Sequence, residues 1–495
     1  MFFVCKYSSD LLDADQASEL ILANKLHGFD IFCEDWYYST SLRVFDIQLF
    51  YRLGLVFSPN NWVVAKEIGQ AIMFIALSAA FLFVASQVVS KELSIILSAI
   101  LLCPFSFWYE LTVIMFGAYI PYMILVALAM GMFLKLLQTN GKRSRILWLV
   151  LLVVHALLSG MAGVRIGMNF YAPFFLACIV VGYLRIRNNK DETIGWLQDN
   201  WKLFLDGGLV YASYVLGYLI NSTYLVKKYE FDAKADMMWN SVSVPDILEN
   251  LGDFLAGFGY PLTRVWQESP LILISFKGVL GLLGIITAGL FVLSIIRLAT
   301  RFWSLSIFYQ LVFVTTIFMI VVACGSMTLL QYFGNASYYI PCMPFFILVI
   351  GLEIMTEDFV FKFGRESLVV ALIICISGTS YLHVYRAIDT PLNGNLLLKD
   401  VYNWLQEAGD DYDKGVAAFW DSNAITAWSN GNIEMWTVDS VDGVVPSHWL
   451  QAKSHSELPD EYFIILDKED DDVTKICDKH GTQVMYENEK YYVLK

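Results

Sequence analysis

The sequence predicts an all-α polytopic membrane bundle followed by a small C-terminal α/β soluble domain. Three observations predict it. Apolar runs long enough to cross a bilayer recur along residues 61–385. Basic residues gather in alternate connections between those runs. After residue 386 the pattern changes to short strands alternating with helical stretches, with a large acidic excess.

The 495-residue chain is 57% hydrophobic and only 16% charged, whereas a soluble domain carries roughly 25% charged residues. About ten spans are expected, near 64–89, 92–109, 117–138, 145–163, 169–185, 205–224, 273–297, 304–324, 338–355 and 367–385. The second is short, and the aromatics of FSFWY place its end at the interface. One set of short connections holds Lys91; Lys142, Arg143 and Arg145; Arg185, Arg187, Lys190 and Lys202; Arg297 and Arg301; Lys362 and Arg365. The other set holds only Arg165. The first set is therefore read as cytoplasmic. Residues 1–60, the loop 225–272 and the tail 386–495 then face the non-cytoplasmic side.

Residues 1–60 read as a first loop with surface helices. Asp15 to Leu26 places Ala17, Leu20 and Ile21 on one side and Asp15 and Glu19 on another, an amphipathic helix expected to lie on the membrane surface. Trp36, Tyr37 and Tyr38 follow as an aromatic group. From residue 386 onward there are 9 Lys/Arg against 21 Asp/Glu, which argues against a nucleic-acid partner. Here a helix is expected at 395–408, a strand at 415–420, a helix at 421–431, and strands at 433–438, 461–467 and 490–495, giving a partly parallel sheet. The run 467–473 lacks the glycine and spaced ligands of a calcium loop. The eight cysteines show no CxxC or Cys/His spacing, so they are read as small apolar packers.

Chemistry points first to Asp13 and Asp15 in LLDADQASEL. Two carboxylates one residue apart at a membrane surface can act as a base, bind a metal, or cap a helix. A divalent metal is compatible with the pair and not required by it. The second feature is SGMAGVRIGMNFYAPF, where Arg165 stands alone between two spans. Such a cation either binds a phosphate through its planar fork or snorkels to a lipid headgroup. The third is Arg43 and Asp46 beside the aromatic group, readable as a second cationic site or as an interfacial anchor. His155, inside a span, is read as a packing residue.

LLDADQASELILA, DWYYSTSLR, SGMAGVR and NASYYIPCMPF, taken in order along the whole chain, resemble uncharacterised bacterial members of the GT-C superfamily of membrane glycosyltransferases. That superfamily includes protein mannosyltransferases and lipid A aminoarabinose transferases. The resemblance implies a bacterial plasma-membrane enzyme with its acid loop and tail outside the cell. It implies a polyprenyl-phosphate sugar as donor, a glycan, lipid or protein of the envelope as acceptor, and inversion at the anomeric carbon. It implies Asp13 or Asp15 as base and Arg165 with Arg43 on the donor phosphate. Trp36, Tyr37, Tyr38 and Glu19 would line a substrate groove. It also implies a full helix before the acid pair, of which only MFFVC stands here, so either an apolar run lies upstream of Met1 or the first span is absent. A carboxylate would be expected at Ser41 and a basic residue at Ser337, and both are serine. Those departures keep a non-catalytic assembly protein on a degenerate fold as the alternative. A transporter or flippase comes last, because the spans are nearly charge-free and no paired halves are visible.

Overall fold

The computed structural model describes residues 12–28, 30–39, 42–103, 106–188, 193–230, 243–256, 276–329, 336–356, 378, 393–469 and 472–495. The expected span at 367–385 (save Gly378), residues 1–5 and Ser41 lie outside these residues.

The chain begins with α1 (Ala14–Lys25) and α2 (Ile47–Phe57). The bundle follows as α3 (Trp62–Ala85), α4 (Lys91–Leu101), α5 (Ile120–Gln138), α6 (Lys142–Gly160), α7 (Ala172–Asn188), α8 (Thr193–Thr223), α9 (Val244–Ala256), α10 (Phe276–Thr300), α11 (Ile307–Leu329) and α12 (Met343–Met355). Eight helices among the described residues are long and apolar enough to cross a membrane, the make-up of a multi-pass membrane protein. The last, Ser337–Met355, is 89% buried across its apolar window, so it is the central helix. Lys142–Gly160 is only 22% buried and lies at the rim.

The expected second span, 92–109, is not one helix. The α4 helix has 11 residues, roughly 16 Å at 1.5 Å per residue, too short to cross alone. The chain nevertheless returns to the other end of the bundle. Beyond α3, Gln87 donates to Gly131 O (2.9 Å), while Gln70 on α3 donates to Met115 O (2.6 Å). The α3 and α5 helices therefore run parallel, and 91–115 carries the chain back between them. It does so as α4, a short turn at Phe107–Tyr109 and a π-helical segment, Glu110–Met115.

The α2–α3 hairpin packs backbone to backbone. A side chain at Gly54 would collide with the Ala65 carbonyl, and one at Gly69 would stand 2.7 Å from Phe50 O. Small residues at a helix crossing permit this approach. At the basic end of the bundle, Arg145 pairs with Asp206 and Arg297 with Glu353 (3.1 Å), while Arg185 donates to Gln310 (2.6 Å). Each contact ties together two helix ends where an unpaired charge would be costly.

The tail comprises α13 (Asn393–Ala408), α14 (Phe419–Trp428), α15 (Val473–His480) and six strands, β1 (Lys414–Ala418), β2 (Glu434–Ser440), β3 (Val445–Pro446), β4 (Phe463–Asp467), β5 (Val484–Glu487) and β6 (Tyr491–Leu494). They form one sheet in the order β3-β2-β1-β4-β6-β5. β1 is parallel to β2 and β4, and the outer pairs are antiparallel. Side chains alternate across it, as a pleated strand requires. Phe463 and Ile465 face the core shared with the bundle, while Ile464 and Leu466 face a second core with Trp436 and Ile476.

Two expectations for residues 1–60 are corrected. The α1 helix does not lie on the surface. It is sandwiched between α2 on one side and α14 of the tail on the other, with Ala14, Ala17, Ser18, Leu20, Leu22 and Ala23 buried. Small residues on both flanks allow the double packing. The helix with the membrane-surface character is α2, whose Val56 and Phe57 are 73% and 72% exposed. Trp36, Tyr37 and Tyr38 are also buried, at 1%, 8% and 6%, so they line no open groove. They form the seam with the tail. Tyr37 N donates to Gln451 O (2.8 Å), its ring stacks on His448 (centroids 4.6 Å), and Trp62 N donates to Asn430 Oδ1 (2.8 Å).

Candidate active site

The site lies at the end of the bundle opposite the basic connections, where α1, the start of α2, α5 and the turn before α7 meet. Asp13 is the N-cap of α1, its Oδ1 accepting from Gln16 N at 2.8 Å. This satisfies one of the amide groups that a helix start leaves open. Asp15 and Glu19, four residues apart, share one face of the same helix. Asp15 is exposed and Glu19 half-buried, and neither carboxylate takes a hydrogen bond from the described residues. The far flank of α1 is anchored by Gln16, whose Nε2 donates to Met115 O and Phe116 O, both at 3.0 Å.

Asp46 caps α2 through Ile47 N (3.0 Å) and pairs with Arg43 at 2.6 Å. The Arg43 guanidinium lies within electrostatic range of Asp15, Glu19 and Tyr122. Tyr122 in turn feels both Arg43 and Arg165. The Arg165 guanidinium stands over three tyrosine rings, Tyr119 (5.7 Å), Tyr122 (6.0 Å) and Tyr338 (5.2 Å). These faces attract a cation without neutralising it. Arg165 forms no ion pair or hydrogen bond among the described residues.

What brings these distant segments together is Asn221, near the end of α8. Its Nδ2 donates to Leu42 O (2.6 Å) and to Met161 O. Leu42 precedes Arg43, and Met161 opens the turn that leads to Arg165. One amide group therefore spans both cationic segments. The turn itself needs Gly163, whose φ of 101° lies where side chains are strained. Tyr214 Oη donates to Gly163 O (3.2 Å) and fixes it against α8. A π-helical segment, Gly167–Tyr171, follows before α7. Such segments interrupt α-helices often at functional sites.

The protonation of the acids follows from their surroundings. Loss of water around Asp13, reinforced by the neighbouring Asp15, pushes its carboxyl up to about 7, against the opposing pull of Gln16 N–H and Lys66. Desolvation also raises Asp15, with Arg43 opposing. Glu19 rises to about 8, through desolvation first and then the charge of Asp46, against the pull of Arg43. The arrangement can hold an anion at the guanidiniums and accept a proton at the acid row.

Five expected site residues therefore meet: Asp13, Asp15, Glu19, Arg43 and Arg165. Trp36, Tyr37 and Tyr38 belong to the tail seam instead. Ser337 is buried in the 3-10 turn Ala336–Cys342, beside Tyr338. His155 packs inside the bundle with its Nδ1 3.0 Å from Tyr171 Oη. Lys228 pairs with Glu34 at 2.6 Å. Among the described residues no group of three or more His, Cys, Asp or Glu could hold a metal ion. Asn221, Tyr119, Tyr122 and Lys66 were missed from sequence. Lys66 carried a signal, a lysine near the start of an apolar run and buried to 1% exposure. The chain matches no protein-family model and no curated protein.

Proposed function

We propose that the chain is an integral membrane glycosyltransferase that moves a sugar from a polyprenyl-phosphate donor to a cell-envelope acceptor on the outer face of the plasma membrane. The observation that carries this reading is the convergence of an exposed carboxylate, Asp15, with Arg43 and the tyrosine-caged Arg165. The chemistry needs little more. The acceptor hydroxyl attacks the anomeric carbon as the bond to the phosphate oxygen breaks, inverting that centre. Asp15 takes the hydroxyl proton, and the lipid phosphate leaves with its charge held by the arginines. Asp15 suits the base better than Asp13, whose carboxylate is engaged by the helix start. The basic connections at the opposite end support an extracytoplasmic site, as does the acid-rich tail packed over α1.

The test is sugar transfer by purified protein in nanodiscs, using polyprenyl-phosphate-linked sugars and envelope extract. Asp15→Asn is expected to lower transfer about 100-fold or more, the range of general-base loss, with Asp13→Asn less affected. Transfer unchanged in both variants would remove the base assignment.

A further inference from the structure

Two guanidiniums and three carboxyls crowd one side of the site: Arg43 and Arg165, with Asp15, Glu19 and Asp46. The Arg43–Asp46 pair at 2.6 Å is already matched. Fully ionised, the remaining Asp15 and Glu19 outnumber the one guanidinium left to receive an anion. A negatively charged ligand would then meet a net negative site. Asp15 and Glu19 both lack a hydrogen bond from the described residues, and of the two Glu19 is the half-buried one.

We propose that Glu19 works as a neutral carboxylic acid that binds the anionic ligand, leaving the site free of net negative charge and donating its proton as a hydrogen bond to a ligand oxygen beside Arg43. This rests on the reading of the site as a lipid-phosphate site, and names Glu19 as the group that sets its charge. The described elements around Glu19 agree. Asp15 on its own helix and Asp46 at the start of α2 both disfavour a second anion. Tyr51 from α2 and Tyr38 from the tail seam bring hydroxyls and no cation. Lys66 and Glu67 of α3 interact around Asp13, at the other end of the row. Asp421 of α14 turns away to accept from Tyr491 Oη at 2.7 Å. Among the described residues the cation that acts on Glu19, Arg43, is paired to Asp46, and burial pushes Glu19 up to about 8, so the neutral form prevails at pH 7. The row then has two unlike members, a neutral donor at Glu19 and an exposed carboxyl at Asp15.

The experiment uses the full chain in nanodiscs and a short-chain polyprenyl monophosphate as probe. Binding is measured from pH 6 to 9 for wild type, Glu19→Gln and Glu19→Ala. Glutamine keeps a neutral donor. Wild-type affinity should fall roughly tenfold between pH 7 and 9, following the shrinking protonated fraction, while Glu19→Gln should bind like wild type at pH 7 and lose that decline. Glu19→Ala should bind weakly throughout. Infrared difference spectra should show a protonated-carboxyl component at pH 7 in wild type that is lost in Glu19→Gln, leaving the share of Asp13 in place. Identical pH curves for wild type and Glu19→Gln would overturn the proposal, as would an unchanged infrared band. No binding by any form at any pH, with the band behaving as expected, would overturn the phosphate role on which the proposal rests and leave the protonation of Glu19 standing.

Discussion

Asn221→Ala is the perturbation that bears most directly on how the site is assembled. The side chain donates to Leu42 O and Met161 O, in segments more than 100 positions apart in sequence. Leu42 is fully buried, so its carbonyl has no ready access to replacement water. A hydrogen bond contributes about 0.5–1.5 kcal/mol net, and a buried group left unpaired costs roughly 1–3 kcal/mol. Losing both bonds should therefore destabilise the fold by about 2–4 kcal/mol, toward the upper end because the alanine leaves a void as well. The functional effect should be separate from the loss of stability. Without the bridge, the Arg43 strip loses its tie to α8 while the Arg165 turn keeps the Tyr214 contact, so an anion must reorder the two segments against each other to bind. Polyprenyl monophosphate affinity should fall roughly tenfold or more, equivalent to about 1.4 kcal/mol. The assays are thermal unfolding in nanodiscs and titration with the lipid phosphate at a temperature where both proteins are folded. Thr223→Ala, on the exposed end of the same helix, is the control and should change neither. The reasoning is refuted if Asn221→Ala binds the probe within twofold of wild type.

Three other outcomes follow from the same geometry. Arg165→Lys keeps the charge but loses the planar group over three tyrosine rings, each contact contributing about 0.5–1 kcal/mol, so calorimetry should show lipid-phosphate binding weakened roughly 10- to 100-fold. The carboxyls of Asp13 and Glu19 are raised to about 7 and about 8 from ordinary values of 3.8 and 4.5. The folded state therefore holds extra protons, and the stability they contribute is full below those ordinary values and lost as pH climbs through 7 and 8. Thermal unfolding should accordingly show Tm falling from pH 5 to 9, with a shallower fall in Glu19→Gln; a rise in Tm would contradict the assignment. Gly54→Leu forces a side chain into the Ala65 carbonyl, so it should cost about 1–3 kcal/mol or block folding, whereas Leu53→Ala, on an exposed position beside it, should be nearly neutral in the same unfolding assay.

Much of the architecture was legible because it rests on local pattern. Apolar runs mark the spans, and the strands at 414–418, 434–440, 463–467 and 491–494 follow apolar, β-branched stretches bounded by turn residues. Asp13 could be read as a helix cap from its place before a helix-period segment, and the α1 geometry has it in that role. What local pattern hides is the identity of the neighbour. The break between α4 and Met115 is absent from hydropathy, because apolar and aromatic residues continue through it. Its carbonyls are instead claimed by Gln16 and Gln70 from other helices. The α1 helix reads as a surface helix because its small residues give only a weak stripe, and the layer that covers it begins some 400 residues later in the chain. Trp36–Tyr38 misled for the same reason, as aromatics suit a membrane interface and a protein seam equally well. The acids and Arg165 were visible as isolated charges, but their meeting depends on Asn221, an ordinary polar residue in an apolar run.

The most direct test of the central claim is photocrosslinking with a photoreactive polyprenyl monophosphate, its reactive group beside the phosphate, followed by peptide mapping of the full chain in nanodiscs. A single phosphate site built by the acid row and the caged arginine should label both 12–25 and 161–171, with labelling competed by unmodified polyprenyl phosphate and lost in Arg165→Ala. Labelling confined to the basic connections at the opposite end, or unchanged in Arg165→Ala, would contradict it.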